Sequence, residues 1–106
     1  MFSRVNTLQA APERIDDVAR VTREVVLPAI RDLPGFRGYV VLGSRESGKA
    51  IGVTFWETET AMRTSDTTAQ EIRPRVEQAT AGTMMSVDPY EVLLFEIQPS
   101  VGEARP

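Results

Sequence analysis

Trp56, Tyr39, Thr54, Arg4 and Asn6 are the side chains of this 106-residue chain best suited to work on a small molecule. Trp56 is its only tryptophan, and an indole offers a broad flat surface with a single N–H donor, fit for stacking on an aromatic ring. The hydroxyls of Tyr39 and Thr54 can orient ligand oxygens, and the guanidinium of Arg4 can stabilise an anion. Each residue also has a plainer reading. A lone tryptophan serves as a core or interface anchor, a tyrosine makes one structural bond to backbone, and Arg4 and Asn6 can sit on a partly solvated strand. No side chain stands out as a general base, so no catalytic residue is assigned.

The missing residue types narrow the chemistry. Zero cysteine rules out disulfides, thiolate nucleophiles, iron–sulfur clusters and sulfur-rich zinc sites. Zero histidine removes a His general base, a Ser-His-Asp arrangement, a proximal haem ligand and imidazole metal sites. Neither a metal nor any other cofactor is expected. The net charge of -3, with Lys and Arg scattered, gives no basic patch for nucleic acid. No apolar run approaches the roughly 20 residues that span a bilayer, and no secretory pattern opens the chain, so the expectation is cytoplasmic with no membrane partner.

Positioning these side chains falls to a β-α-β-β-α-β order. A first strand runs from Met1 to about Leu8, with polar groups on both faces. Pro12 suits the first position of a helix reaching about Leu33, whose apolar stripe includes Ile15, Val18, Thr22, Val26 and Ile30. Pro28 lies inside that run and predicts a kink near Arg23 to Pro28. Phe36–Ser44 and Ala50–Glu57 read as a hairpin around the polar loop Arg45–Lys49. Thr58 is a plausible cap for a second helix that breaks near Thr64–Asp66 and restarts behind Thr67/Gln70 or Thr68/Glu71 capping boxes. Ala69, Ile72, Val76 and Ala79 are its buried stripe, Gly82 its stop, and the remaining Glu and Arg residues of both helices its solvated faces. Tyr90–Gln98, apolar on both parities, reads as the last strand. The expected fold class is α+β: a ferredoxin-like βαββαβ sandwich with a four-stranded antiparallel sheet, one domain over residues 1–98 and a flexible tail over 99–106.

If Ser47–Gly48 centres the hairpin, Leu42 faces Val53, Val40 faces Phe55 and Tyr39 faces Trp56. One sheet face then carries Phe36, Val40, Leu42, Ile51, Val53 and Phe55. The other carries Tyr39, Val41, Gly43, Gly52, Thr54 and Trp56, where glycines leave space for a pocket, a dimer contact or both. Met84 and Met85 fill a gap near the pocket mouth or pack in the core. Two helices cannot cover both faces of four such strands, so a homodimer pairing through its sheet faces is expected.

The segments Leu33-Pro34-Gly35-Phe36-Arg37-Gly38-Tyr39 and Phe55-Trp56-Glu57-Thr58-Glu59-Thr60-Ala61-Met62 resemble the antibiotic biosynthesis monooxygenase (ABM) superfamily over about residues 1 to 98. The resemblance implies a dimeric α+β barrel. It also implies that Trp56 lines a substrate cavity, as the matching tryptophan does in the family's oxygenases. Haem-degrading members carry a histidine about ten residues beyond that tryptophan. Ser65-Asp66 stand there in this chain, and neither is a usual axial haem ligand, so haem degradation is not expected. Asn6 matches the asparagine that those members carry on the first strand. With antiparallel first and third strands, Arg4 or Phe2 rather than Asn6 is the expected neighbour of Trp56.

Three functions fit. The first, implied by the resemblance, is a cofactor-independent monooxygenase acting on an aromatic, polyketide- or anthrone-like small molecule, where the substrate anion itself reduces oxygen. The second is a non-catalytic small-ligand-binding or stress-related dimeric α+β barrel using the same cavity. The third is a purely structural dimer.

Overall fold

The computed structural model describes residues 1–98, and the expected tail over 99–106 lies outside them. Four antiparallel strands, β1 (Phe2–Gln9), β2 (Phe36–Gly43), β3 (Lys49–Trp56) and β4 (Thr83–Glu91), form one sheet in the order β2-β3-β1-β4. All the helices lie against one face of it. This is the α+β, ferredoxin-like arrangement read from the order of elements. No helix among the described residues is long and apolar enough to cross a membrane.

The first helical run is built in pieces. A 3₁₀ turn (Pro12–Arg14) enters α1 (Ile15–Val21), a π turn (Thr22–Val26) follows, and α2 (Leu27–Ile30) ends the run three residues short of Leu33. The Leu27 N–H bonds the Thr22 carbonyl, five residues back. This wider turn sits where Pro28 would otherwise crowd the carbonyl of residue 24, so the kink expected from the proline takes the form of a π turn. The Thr22 hydroxyl also donates to the Val18 carbonyl at 2.8 Å.

The second helix breaks as expected, into α3 (Glu59–Thr64) and α4 (Asp66–Thr80). The Thr58 hydroxyl caps α3 by accepting from the Ala61 N–H at 3.0 Å. The capping boxes do not form, because α4 already starts at Asp66 and leaves Thr67 and Thr68 inside its first turn. Ala81 ends α4 in the left-handed region, φ 55°, one residue before the expected glycine stop.

Three strand readings are corrected. The last strand is Thr83–Glu91, not Tyr90–Gln98. Its polar sequence and Pro89 suit the edge position it occupies, since an edge strand tolerates a missing N–H. From Val92 to Gln98 the chain forms no strand. The Val92 N–H reaches the Met1 carbonyl, and Phe95 meets Phe55 edge-on at 5.3 Å. The hairpin pairs Tyr39 with Thr54, Val40 with Val53 and Leu42 with Ile51, a shift of two residues from the expected register that keeps each side chain on its face. A bulge between Phe36 and Gly38 moves Phe36 to the Trp56 face, where the two rings meet edge-on at 5.5 Å.

Two apolar clusters fill the layer between sheet and helices. Leu8, Ala10, Ile15, Val18 and Ala50 form one end, and Val26, Ile30, Trp56, Met62 and Ile72 the other. Each large side chain so buried contributes about 1.5–3 kcal/mol. Among the described residues no helix lies over the opposite sheet face, and Val40 and Leu42 remain exposed there.

Candidate functional site

Strand pairing sets the functional side chains in rows across the helix-facing side of the sheet. Tyr39 on β2 pairs with Thr54 on β3, which pairs with Arg4 on β1. The next row holds Val41, Gly52 and Asn6, and the row on the other side holds Phe36, Trp56 and Phe2. The period of two along each strand therefore brings Arg4, Asn6, Tyr39, Thr54 and Trp56 onto one surface. That surface floors a cavity roofed by α1, the π turn, α2 and α4. The face expected to serve as pocket, dimer contact or both thus faces the cavity, and the helices over it leave no room there for a second sheet.

Trp56 is fully buried and belongs to the cavity wall. Its Nε1–H donates to the Thr54 hydroxyl at 2.8 Å. The Thr54 hydroxyl in turn reaches the Arg4 carbonyl at 3.5 Å, so Thr54 orients the indole and has no hydrogen left for a ligand. The Arg4 guanidinium carbon lies 6.0 Å from the indole centroid, at the outer limit of a cation–π contact. As the antiparallel pairing implied, Phe2 and Arg4 are closer to Trp56 than Asn6 is; the Asn6 Nδ2–H donates to the Gly52 carbonyl at 3.2 Å.

Tyr39 lies over Gly52. A β-carbon at residue 52 would fall 2.5 Å from the Tyr39 hydroxyl oxygen, so the glycine is what admits the phenol to this position. Burial raises the Tyr39 pKa above its ordinary 10.0, and the nearby Thr22 hydroxyl opposes the rise. At neutral pH the phenol is therefore a neutral donor facing the cavity.

Arg4 is 5% exposed, and burying a cation requires partners. Its Nη2 donates to the Met62 carbonyl at 2.6 Å and to the Asp66 carboxylate. Desolvation lowers the Arg4 pKa, Asp66 raises it, and the nearby Arg73 adds a like-charge lowering. Arg73 projects from α4 beside Arg4, and its buried Nε–H has no hydrogen-bond partner among the described residues. An unpaired buried donor costs about 1–3 kcal/mol, more when charged. The charge pattern alone puts Arg73 on a solvated helix face, and the structure turns it inward. Its position four residues after Ala69 and three before Val76, along the buried stripe, was the signal that placed it inward.

Arg4 and Arg73 stand where two spaces meet. The inner cavity is largely apolar and narrow, about 60 Å³, room for a few waters. The outer cleft is about 320 Å³, more polar, and bordered by Arg4, Arg73, Arg63, Glu59, Asp66 and Gln70. Among the described residues no carboxylate lines the inner cavity, and no cluster of acidic side chains is arranged to hold a metal ion. The arrangement can enclose an apolar ring, donate hydrogen bonds from Tyr39 and Asn6, and stabilise an anion with two cations. Met84 lines the cavity, whereas Met85 is exposed.

The two sequence segments that carried the family resemblance meet in space. The Glu57 N–H bonds the Gly35 carbonyl at 2.7 Å, and Gly35, at φ 79°, packs so closely on Ala61 that a β-carbon there would lie 2.5 Å away. Comparison with known proteins agrees. The sequence is 35% identical over 92 residues to the uncharacterized protein Rv2557 of Mycobacterium tuberculosis, an alignment covering 87% of this chain and 41% of that protein. The chain thus spans about two fifths of the length of the curated relatives it matches. The fold is similar to a monooxygenase from the gene ActVA-Orf6 of Streptomyces coelicolor, solved with the ligand nanaomycin D. That likeness has a TM-score of 0.69 at 23% identity, over 93% of this chain and 92% of the other. It is similar also to SnoaB, a cofactor-independent oxygenase from Streptomyces nogalater, with a TM-score of 0.62 at 18% identity over 89% and 94% of the two chains. Residues 1–81 match the family model described as antibiotic biosynthesis monooxygenase, and the chain belongs to that family.

Proposed function

We propose that this protein is a cofactor-independent monooxygenase of an electron-rich, anthrone-like aromatic molecule bound against Trp56. The carrying observation is an apolar cavity walled by a fully buried tryptophan, with Arg4 and Arg73 at its polar mouth. Cations beside a bound phenol or anthrone favour its anion, and the proton leaves to water. The anion gives an electron to O₂, the radicals combine, and the resulting hydroperoxide loses water to leave a quinone, with one oxygen atom in each product. The chain's residues bind, orient and desolvate the substrate in this scheme. A three-ring substrate exceeds the 60 Å³ cavity and enters only as the helical roof moves outward. The protein works in the cytoplasm as a homodimer, each copy covering the other's helix-free sheet face and its exposed Leu93, Leu94 and Ile97.

The test is oxygen uptake with an anthrone-type substrate, one O₂ per quinone. Trp56→Phe keeps an aromatic core and should lower the rate several-fold. Alanine there would cost about 3–5 kcal/mol and endanger the fold. No turnover of any electron-rich phenol or anthrone by the folded dimer would sink the catalytic reading. Binding without turnover would favour the second reading, a non-catalytic ligand-binding protein, supported by the fact that no carboxylate among the described residues lines the inner cavity.

A further inference from the structure

Arg4 and Arg73 both border the inner cavity and the outer cleft, and their partners differ. Arg4 is held by Asp66 and the Met62 carbonyl, and Arg63 in the outer cleft is paired with Glu59 at 3.0 Å. That leaves Arg73 with a buried donor and, among the described residues, no acceptor for it. The outer cleft thus has three guanidinium groups against two carboxylates, and the two carboxylates already face Arg4 and Arg63.

We infer that Arg73, with Arg4 beside it, forms a carboxylate subsite, so that the natural ligand is an aromatic acid with its rings against Trp56 and its carboxylate at the junction of the two spaces. The proposal rests on the reading of the inner cavity as the place of the aromatic body, and it adds the substrate class. A guanidinium presents two parallel N–H groups in one plane, which match the two oxygens of a carboxylate. The unpaired Nε–H is one such group, enclosed by protein in this structure and uncovered for a ligand as the helical roof moves outward. A ligand oxygen there supplies the acceptor that the protein lacks. A neutral ring would leave that donor unmet, and a carboxylate placed deeper would lose contact with water on the outer side without gaining a second cation.

The test compares 2-naphthoate with the neutral 2-naphthamide, by calorimetry and by quenching of the single tryptophan. The acid should bind about tenfold more tightly at low salt. Arg73→Gln should erase that advantage while leaving the amide's affinity unchanged. Arg75→Gln, an equal loss of charge at an exposed position of the same helix, should leave both affinities in place. Arg73→Lys keeps the charge without the paired N–H groups, and should lose most of the advantage; it serves as the decisive variant if the glutamine form does not fold. Equal affinities for acid and amide overturn the subsite and leave the aromatic cavity standing. So does an advantage that survives both Arg73 changes, or one that Arg75→Gln removes as fully. If neither compound binds, the subsite and the cavity reading fall together.

Discussion

The Trp56 Nε1–H donates to the hydroxyl of Thr54, two residues earlier on the same face of the same strand, at 2.8 Å. Both residues are buried, so the indole has no water to turn to if this acceptor is lost. Thr54→Val keeps the shape and removes the oxygen. It should cost about 1–3 kcal/mol, the penalty of an unmet buried donor, measured by denaturant unfolding. Unchanged stability and an unchanged fluorescence maximum would show that the bond does not hold the ring.

Gly52 and Tyr39 should behave as a coupled pair. Gly52→Ala places a methyl against the phenol oxygen and should destabilise by about 1–3 kcal/mol. Tyr39→Phe removes the nearest clashing atom, so the double variant should lose less than the sum of the two single losses. Strict additivity would mean that the phenol moves aside freely.

Alkaline pH should weaken the fold through Tyr39. Burial raises the folded-state pKa above the unfolded value of 10.0, so the neutral phenol's contribution is complete below pH 10. Above that pH the unfolded chain releases its proton first, and stability falls until the folded-state pKa is passed. Melting temperatures of the wild type should drop faster than those of Tyr39→Phe as pH rises through 10. Parallel curves for the two proteins would contradict the burial argument.

Ala81 holds a conformation that glycine would adopt without strain, φ 55° and ψ 23°. Ala81→Gly should stabilise the protein by roughly 1 kcal/mol, because the relief of the β-carbon clash exceeds the added freedom of the unfolded chain. A lower denaturation midpoint would count against it.

Leu42 is 54% exposed on the helix-free sheet face. In sedimentation experiments the wild type should run as a dimer and Leu42→Asp as a folded monomer, because a carboxylate cannot be buried unpaired between two sheets. A wild type that stays monomeric at micromolar concentration would rule out the sheet-to-sheet assembly.

What the sequence revealed follows the range over which each signal acts. The break between α3 and α4, the disturbance ahead of Pro28 and the face of the hairpin residues from Tyr39 to Trp56 are set by neighbours within a few positions, whereas the bulge that turns Phe36 to the other face is not. The register of the hairpin slipped by two because its loop is closed by the Ser44 N–H and the Lys49 carbonyl, a bond that composition does not reveal. The polar segment of β4 gains its ladder from β1, some 80 residues away in the chain, while the oilier stretch after Glu91 keeps one backbone bond to Met1 and forms no strand among the described residues. Arg4 was recognised as a residue needing partners, but Asp66 as its partner depends on how the break at Ser65 turns α4 toward β1. Arg73 required knowing which side of α4 meets the sheet.

The roof of the cavity consists wholly of helices from the same chain as its floor. In a back-to-back pair the two sheets would therefore separate two finished chambers opening in opposite directions. Each chamber would fill without help from its twin, with a stoichiometry of one ligand per chain and a hyperbolic saturation curve. An inactive copy paired with an active one would leave the active copy at full rate.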